Sequence, residues 1–111
     1  MPDHMGEETS HFGLDAATIR KIQDVLSRFP EIESAVIYGS RAKGNYKPGS
    51  DIDLSLMGEA LTEDRLLQLA NRLDDLMLPY QFDLNRFHSL QNTALIEHIE
   101  RIGKVFYTRV I

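Results

Sequence analysis

Between Asp15 and Phe29 the apolar residues recur at helical spacing. Ile19, Ile22, Leu26 and Phe29 step by three, four and three positions, so they share one face. Asp15 has the chemistry of an N-cap and Pro30 cannot continue a helix, so the pattern predicts an amphipathic helix between them. The period then changes. Ser34-Ala35-Val36-Ile37-Tyr38 is nearly all apolar and runs into Gly39, as expected of a buried central strand. Over residues 51–57, Ile52, Leu54 and Leu56 alternate with Asp51, Asp53 and Ser55, the mark of a strand with one apolar and one polar face. Thr62 caps a second helix whose first turn holds Glu63 and Asp64, favourable at the positive end of the helix dipole. Its stripe is Leu66, Leu69, Leu73 and Leu76, widened by Leu67, Ala70 and Met77, and Pro79 ends it. A third strand follows near residues 80–86, with Phe82 and Leu84 facing one way and Asp83 and Asn85 the other. A last helix, Thr93–Ile102, uses Leu95, Ile99 and Ile102, with Gly103 as its C′ residue. Residues 105–107 add a short edge strand.

Residues 1–13 show no period and are polar, which predicts a flexible arm before a domain spanning 14–111. At 111 residues one core is the natural expectation. The strand phases give the fold class, α/β (α+β): a small sheet with helices packed on one side. The other face is left open, and it carries Asp51, Asp53, Ser55, Asp83 and Asn85.

Composition narrows the function. Hydrophobic residues make up 42% and charged residues 26% of the chain, ordinary values for a globular protein. No apolar run is long enough to span a membrane, and the N-terminus lacks a secretory pattern. With no cysteine, disulfides, thiolate zinc sites and cysteine nucleophiles are excluded, and residence in the cytoplasm is expected. A net charge of −5 argues against direct nucleic-acid binding, which needs a basic footprint. It leaves nucleotide binding open, because a divalent cation screens phosphates.

The open face is where chemistry is expected. Gly39-Ser40 is separated by ten residues from Asp51-Ile52-Asp53. Residues i and i+2 of a strand place both side chains on one face, roughly 7 Å apart, so Asp51 and Asp53 can converge on a cation. Asp83, from a neighbouring strand of matching phase, would complete the cluster. Three crowded carboxylates repel and raise at least one pKa. A divalent ion removes that penalty, and oxygen-only ligands favour Mg²⁺ or Mn²⁺ over zinc. Gly39 lets the backbone approach a phosphate. The Ser40 hydroxyl and the amides after it can donate to phosphate oxygens. Arg41 can add positive charge against a departing pyrophosphate. These parts together predict metal-assisted nucleotidyl transfer by in-line displacement at an α-phosphorus. His4, His11, His88 and His98 pair at no metal-ligand spacing and are expected to make local contacts.

The strings Ile37-Tyr38-Gly39-Ser40-Arg41-Ala42-Lys43-Gly44 and Pro48-Gly49-Ser50-Asp51-Ile52-Asp53-Leu54 resemble the signature of the minimal nucleotidyltransferase (MNT) domain of the DNA polymerase β-like superfamily. The likeness continues through Phe82-Asp83-Leu84 to the ending 99–107 and covers about residues 15 to 108. It implies a mixed sheet, two Mg²⁺ ions and ATP as donor. Catalysis and metal binding would fall to Asp51, Asp53 and Asp83, and phosphate binding to Gly39, Ser40, Arg41 and Ser50. Stand-alone MNT proteins are often antitoxins paired with a HEPN-domain toxin, and several resemble enzymes that adenylylate a toxin tyrosine. The implied partner and acceptor is therefore a HEPN-type toxin, and a chain of this length leaves no room for an acceptor domain of its own. Two alternatives stand beside this one. Transfer could go to a small molecule with a separate helical subunit, or the chain could act as a non-catalytic antitoxin by occlusion.

Overall fold

The computed structural model describes residues 10–110. The arm expected over 1–13 lies outside the described residues as far as residue 9. Its end is built into the fold, because β1 (Ser10–His11) pairs antiparallel with β2 (Leu14–Asp15). Phe12 and Gly13 turn the chain between them, both at positive φ, 59° and 74°, the signature of a tight hairpin turn.

Helix α1 (Ala16–Ser27) follows directly, and the Asp15 carboxylate accepts from the Thr18 amide at 2.8 Å as its N-cap. Its buried face is Ile22, Val25 and Leu26. After β3 (Ser34–Tyr38), Gly39 leads into the single turn α2 (Ser40–Lys43). A loop over residues 44–51 then enters β4 (Ile52–Met57). Helix α3 (Glu63–Asp74) is capped by Thr62, whose hydroxyl accepts from the Arg65 amide. Strand β5 (Phe82–Arg86), a 3-10 turn, α4 (Thr93–Ile102) and β6 (Lys104–Thr108) complete the chain.

Four strands form one mixed sheet in the order β5-β4-β3-β6. The β3–β4 and β3–β6 pairs are antiparallel, and β4–β5 is parallel. Under one face, Ala35, Ile37, Ile52, Leu54 and Leu56 pack with Ile22 and Leu26 of α1 and Leu69 and Leu73 of α3, all fully or almost fully buried. A buried Leu or Ile of this kind stabilises the fold by roughly 1.5–3 kcal/mol relative to exposure. Arg65 ties the two helical regions. It lies over the Phe29 ring at 4.4 Å and donates twice to the Glu31 carboxylate, at 2.8 and 3.2 Å.

Three expectations change. Leu67 and Met77 do not widen the α3 stripe. The helix stops at Asp74, and these side chains are 65% and 86% exposed. Gly103 is not left-handed: φ is −61° and ψ 147°. A Cβ there would collide with the Ile99 carbonyl and the Val36 side chain, so close packing is what demands glycine. Finally, α1 and α3 share the core face, but α4 does not. The His98 ring meets Tyr38 edge-on at 6.0 Å, and Gly103 abuts Val36. Helix α4 therefore covers the β3 part of the second face and leaves Asp83 exposed and Asp53 half-buried on the β4–β5 part.

Candidate active site

Strand register brings the predicted residues together. Tyr38 is opposite Asp53, and Asp53 is paired with Asp83. One transverse row across β3, β4 and β5 thus reads Tyr38, Asp53, Asp83. The next row on the same face reads Val36, Ser55, Asn85. Asp51 sits one residue ahead of β4 and is exposed, as is Asp83, whereas Asp53 is half-buried.

Gly39 fixes the other side of the site. Its φ of 73° suits glycine, and a Cβ at this position would strike Asp53 Oδ2. The Gly39-Ser40 turn and the Asp53 carboxylate are therefore in direct apposition. Past Gly39, α2 opens with Ser40, and the first amides of any helix lack intrahelical partners. Its last turn closes through the Lys43 amide on the Gly39 carbonyl at 3.0 Å and the Gly44 amide on the Ser40 carbonyl at 2.9 Å.

Electrostatics bear out the crowding. The Asp53 carboxyl is pushed up to about 6, by burial first, then by the Asp83 and Asp51 charges, with Arg41 pulling the other way. The Tyr38 phenol is pushed up to about 12 by burial and by Asp83 and Asp53. Among the described residues no three His, Cys, Asp or Glu side chains already close on one point. The donor set itself, three carboxylates on adjoining positions of one face, fits a hard divalent cation.

Arg41 and Ser50, expected at phosphate, are engaged in contacts within the protein. Arg41 is only 2% exposed. Its Nε and Nη2 donate to the Ser50 carbonyl at 3.1 and 2.9 Å, Nη2 also to the Pro48 carbonyl at 3.4 Å, and Nη1 to the Phe12 carbonyl at 2.8 Å. A guanidinium engaged with that many carbonyls has little left for a ligand. Ser50 Oγ accepts from the Lys47 amide at 2.8 Å, which shapes the loop before Asp51.

Sequence reasoning missed a polar network beside the carboxylates. Ser55 Oγ donates to Asn85 Oδ1 at 2.6 Å, and Asn85 Nδ2 donates to the Tyr38 hydroxyl at 2.8 Å. Ser55 is fully buried, so the open face is less open than the alternation suggested. The signal was present in Ser55 and Asn85 sharing the face, but only the parallel β4–β5 register shows them to be neighbours.

A mixed sheet with a Gly-Ser turn at the end of one strand and acidic residues at the next two is the arrangement of a nucleotidyltransferase-type fold. The chain belongs to the polymerase beta nucleotidyltransferase family, whose model matches residues 20–110. Solved structures agree on the fold. One is a toxin–antitoxin complex with AMP-PNP, 24% identical, covering 81% of this chain and 73% of that one, with a TM-score of 0.68. Another is the MntA-HepT toxin–antitoxin pair, 21% identical, covering 83% and 71%, TM-score 0.62. A third holds a tri-AMPylated Shewanella oneidensis HEPN toxin with its MNT antitoxin, 20% identical, covering 83% and 71%, TM-score 0.62. No curated protein sequence matches this chain. Among the described residues no helix is long and apolar enough to cross a membrane.

Proposed function

We propose that this nucleotidyltransferase moves AMP from ATP onto a hydroxyl of a partner protein, and that the partner is a HEPN-type toxin which the chain neutralises as its antitoxin in the cytoplasm. The observation that carries the reading is the Tyr38-Asp53-Asp83 row, with Gly39 set against Asp53. It puts a phosphate turn and two carboxylates within one small patch. The structural neighbours support the choice of partner, since two are toxin–antitoxin complexes and a third holds a tri-AMPylated HEPN toxin with an MNT antitoxin.

In this reading Gly39, Ser40 and the first amides of α2 hold the donor's phosphates. Asp51, Asp53 and Asp83 hold the Mg²⁺, two ions by the family resemblance. Bound Mg²⁺ supplies charge neutralisation of the triphosphate and of the leaving pyrophosphate. Asp83, exposed on edge strand β5, faces the side from which an acceptor can approach and takes the acceptor's hydroxyl proton. The hydroxyl oxygen bonds to the α-phosphorus as the bond from that phosphorus to the pyrophosphate breaks. Asn85 keeps Tyr38 in place, and the phenol's high pKa keeps it protonated beside the carboxylates.

The test is incubation of the purified protein with α-labelled ATP, Mg²⁺ and the HEPN-type protein encoded beside it. Label should appear on the partner and vanish with Asp53→Asn. If that variant neutralises the toxin as well as the wild type, occlusion replaces transfer as the mechanism. Label on an added aminoglycoside but never on a protein would move the reading to a small-molecule acceptor.

A further inference from the structure

We infer that Arg41 is a positioning residue: one buried guanidinium joins the phosphate turn, the Asp51 loop, the lead-in to Asp83 and the N-terminal hairpin. The inference rests on the nucleotidyl-transfer reading of the same site. Arg41 is carried by α2, the turn that begins at Ser40. Its bonds to the Ser50 and Pro48 carbonyls reach the segment immediately before Asp51. Its guanidinium carbon lies 5.3 Å from the Tyr46 ring centre, in that same loop, and 4.9 Å from Tyr80, three residues before Asp83. Its bond to the Phe12 carbonyl recruits the hairpin tip, and Gly13 leaves no room for a Cβ against Tyr46 and Arg41.

The partners belong to three separate stretches of chain, the loop over 46–50, the hairpin turn at Phe12 and the lead-in at Tyr80, and Arg41 touches all three. Ile52 donates to the Gln81 carbonyl at 2.8 Å, which aligns β4 with β5 but leaves Asp51 ahead of the ladder. Position 51 is therefore fixed by what holds Ser50: the turn it closes with Lys47 inside the loop, and Arg41, which ties that loop to the turn at Ser40. Arginine suits the task because its planar fork donates in several fixed directions while its faces stack on aromatic rings. A lysine would keep the charge and lose the fork. The hairpin thus becomes part of the site's frame through its Phe12 carbonyl.

The experiment compares wild type, Arg41→Lys and, in case that variant folds poorly, Tyr46→Ala, which removes one ring from an exposed position. Two titrations are run well below each melting temperature. Mn²⁺ alone is followed by loss of the free-ion paramagnetic signal, and a non-hydrolysable ATP analogue is added at saturating Mn²⁺. Positioning of Asp51 requires Mn²⁺ affinity to fall about tenfold in Arg41→Lys and a few-fold in Tyr46→Ala, with analogue affinity at saturating Mn²⁺ changed less than threefold. A direct phosphate contact would instead weaken the analogue and spare Mn²⁺, and overturns the inference. A lowered melting temperature with both affinities intact makes Arg41 a stability residue only, and overturns it too. Absence of Mn²⁺ binding by the wild type would refute the site reading itself.

Discussion

Asp53 sits where two requirements conflict. Its carboxylate must be ionised to hold a cation, yet burial and two neighbouring carboxylates push its pKa to about 6. In the unfolded chain the same group titrates near 3.9. Between those values the folded chain binds the extra proton, so stability falls as pH rises through the window, and the penalty is complete above about pH 6. Asp53→Asn should therefore raise the melting temperature of the ion-free protein at pH 7.5 by a few degrees, about what 1 kcal/mol yields in a domain of this size. The gain should shrink towards zero below about pH 4. A scan showing no gain at pH 7.5 would mean that the charges are relieved without an ion. Gly39 is the opposite case, needed by structure and site alike. Gly39→Ala places a side chain at positive φ and against Asp53. It should cost roughly 1–3 kcal/mol in urea unfolding and abolish the thermal response to Mg²⁺ with ATP.

At the scale of elements, the periodic segments were legible. Asp15 and Thr62 cap the helices expected of them, β3 spans Ser34–Tyr38, and α4 spans Thr93–Ile102. Those elements obey a local rule, a cap or a period, that competes with nothing. What the pattern missed depends on distant partners. The β1–β2 hairpin has two-residue strands, too short for any alternation, and is fastened by Arg41 from 29 positions away. Arg41 itself read as a free cation because burial of a guanidinium among carbonyls leaves no trace in spacing. Asp53 and Asp83 share one row because strand phase survives in sequence, while Ser55 and Asn85 became partners only through register. Their bond supports the pairing of β4 with β5 and carries Asn85 across to Tyr38. Ser55→Ala would leave Asn85 Oδ1 without that donor, and should cost about 1–2 kcal/mol in urea unfolding with an unchanged m-value. A loss below 0.5 kcal/mol would show that water replaces the hydroxyl.

The molecule as a whole is one sheet with a two-helix core on one side and, on the other, a helix that stops short of the carboxylates. Its acidic side chains are held near one another by strand pairing and by the loop that Arg41 ties down, so the folded chain carries a repulsion that a bound cation can release. Ligand binding to the folded state alone stabilises by RT ln(1 + [L]/Kd), about 2.7 kcal/mol at a hundredfold excess over Kd. For a domain of this size that corresponds to a rise in melting temperature of roughly 10 °C or more. Mg²⁺ with ATP should produce such a rise. Mg²⁺ alone should give a smaller one, because the Asp cluster lacks the triphosphate oxygens, and ATP with chelator little, because the phosphates then meet uncompensated carboxylates. That ordering separates a site built for the metal–nucleotide pair from a general anion or cation patch: equal shifts with magnesium chloride and with Mg²⁺–ATP would exclude the former. The same series on Asp51→Asn with Asp53→Asn should start from a higher melting temperature and respond to neither, since the substitutions remove both the repulsion and the ligands that relieve it.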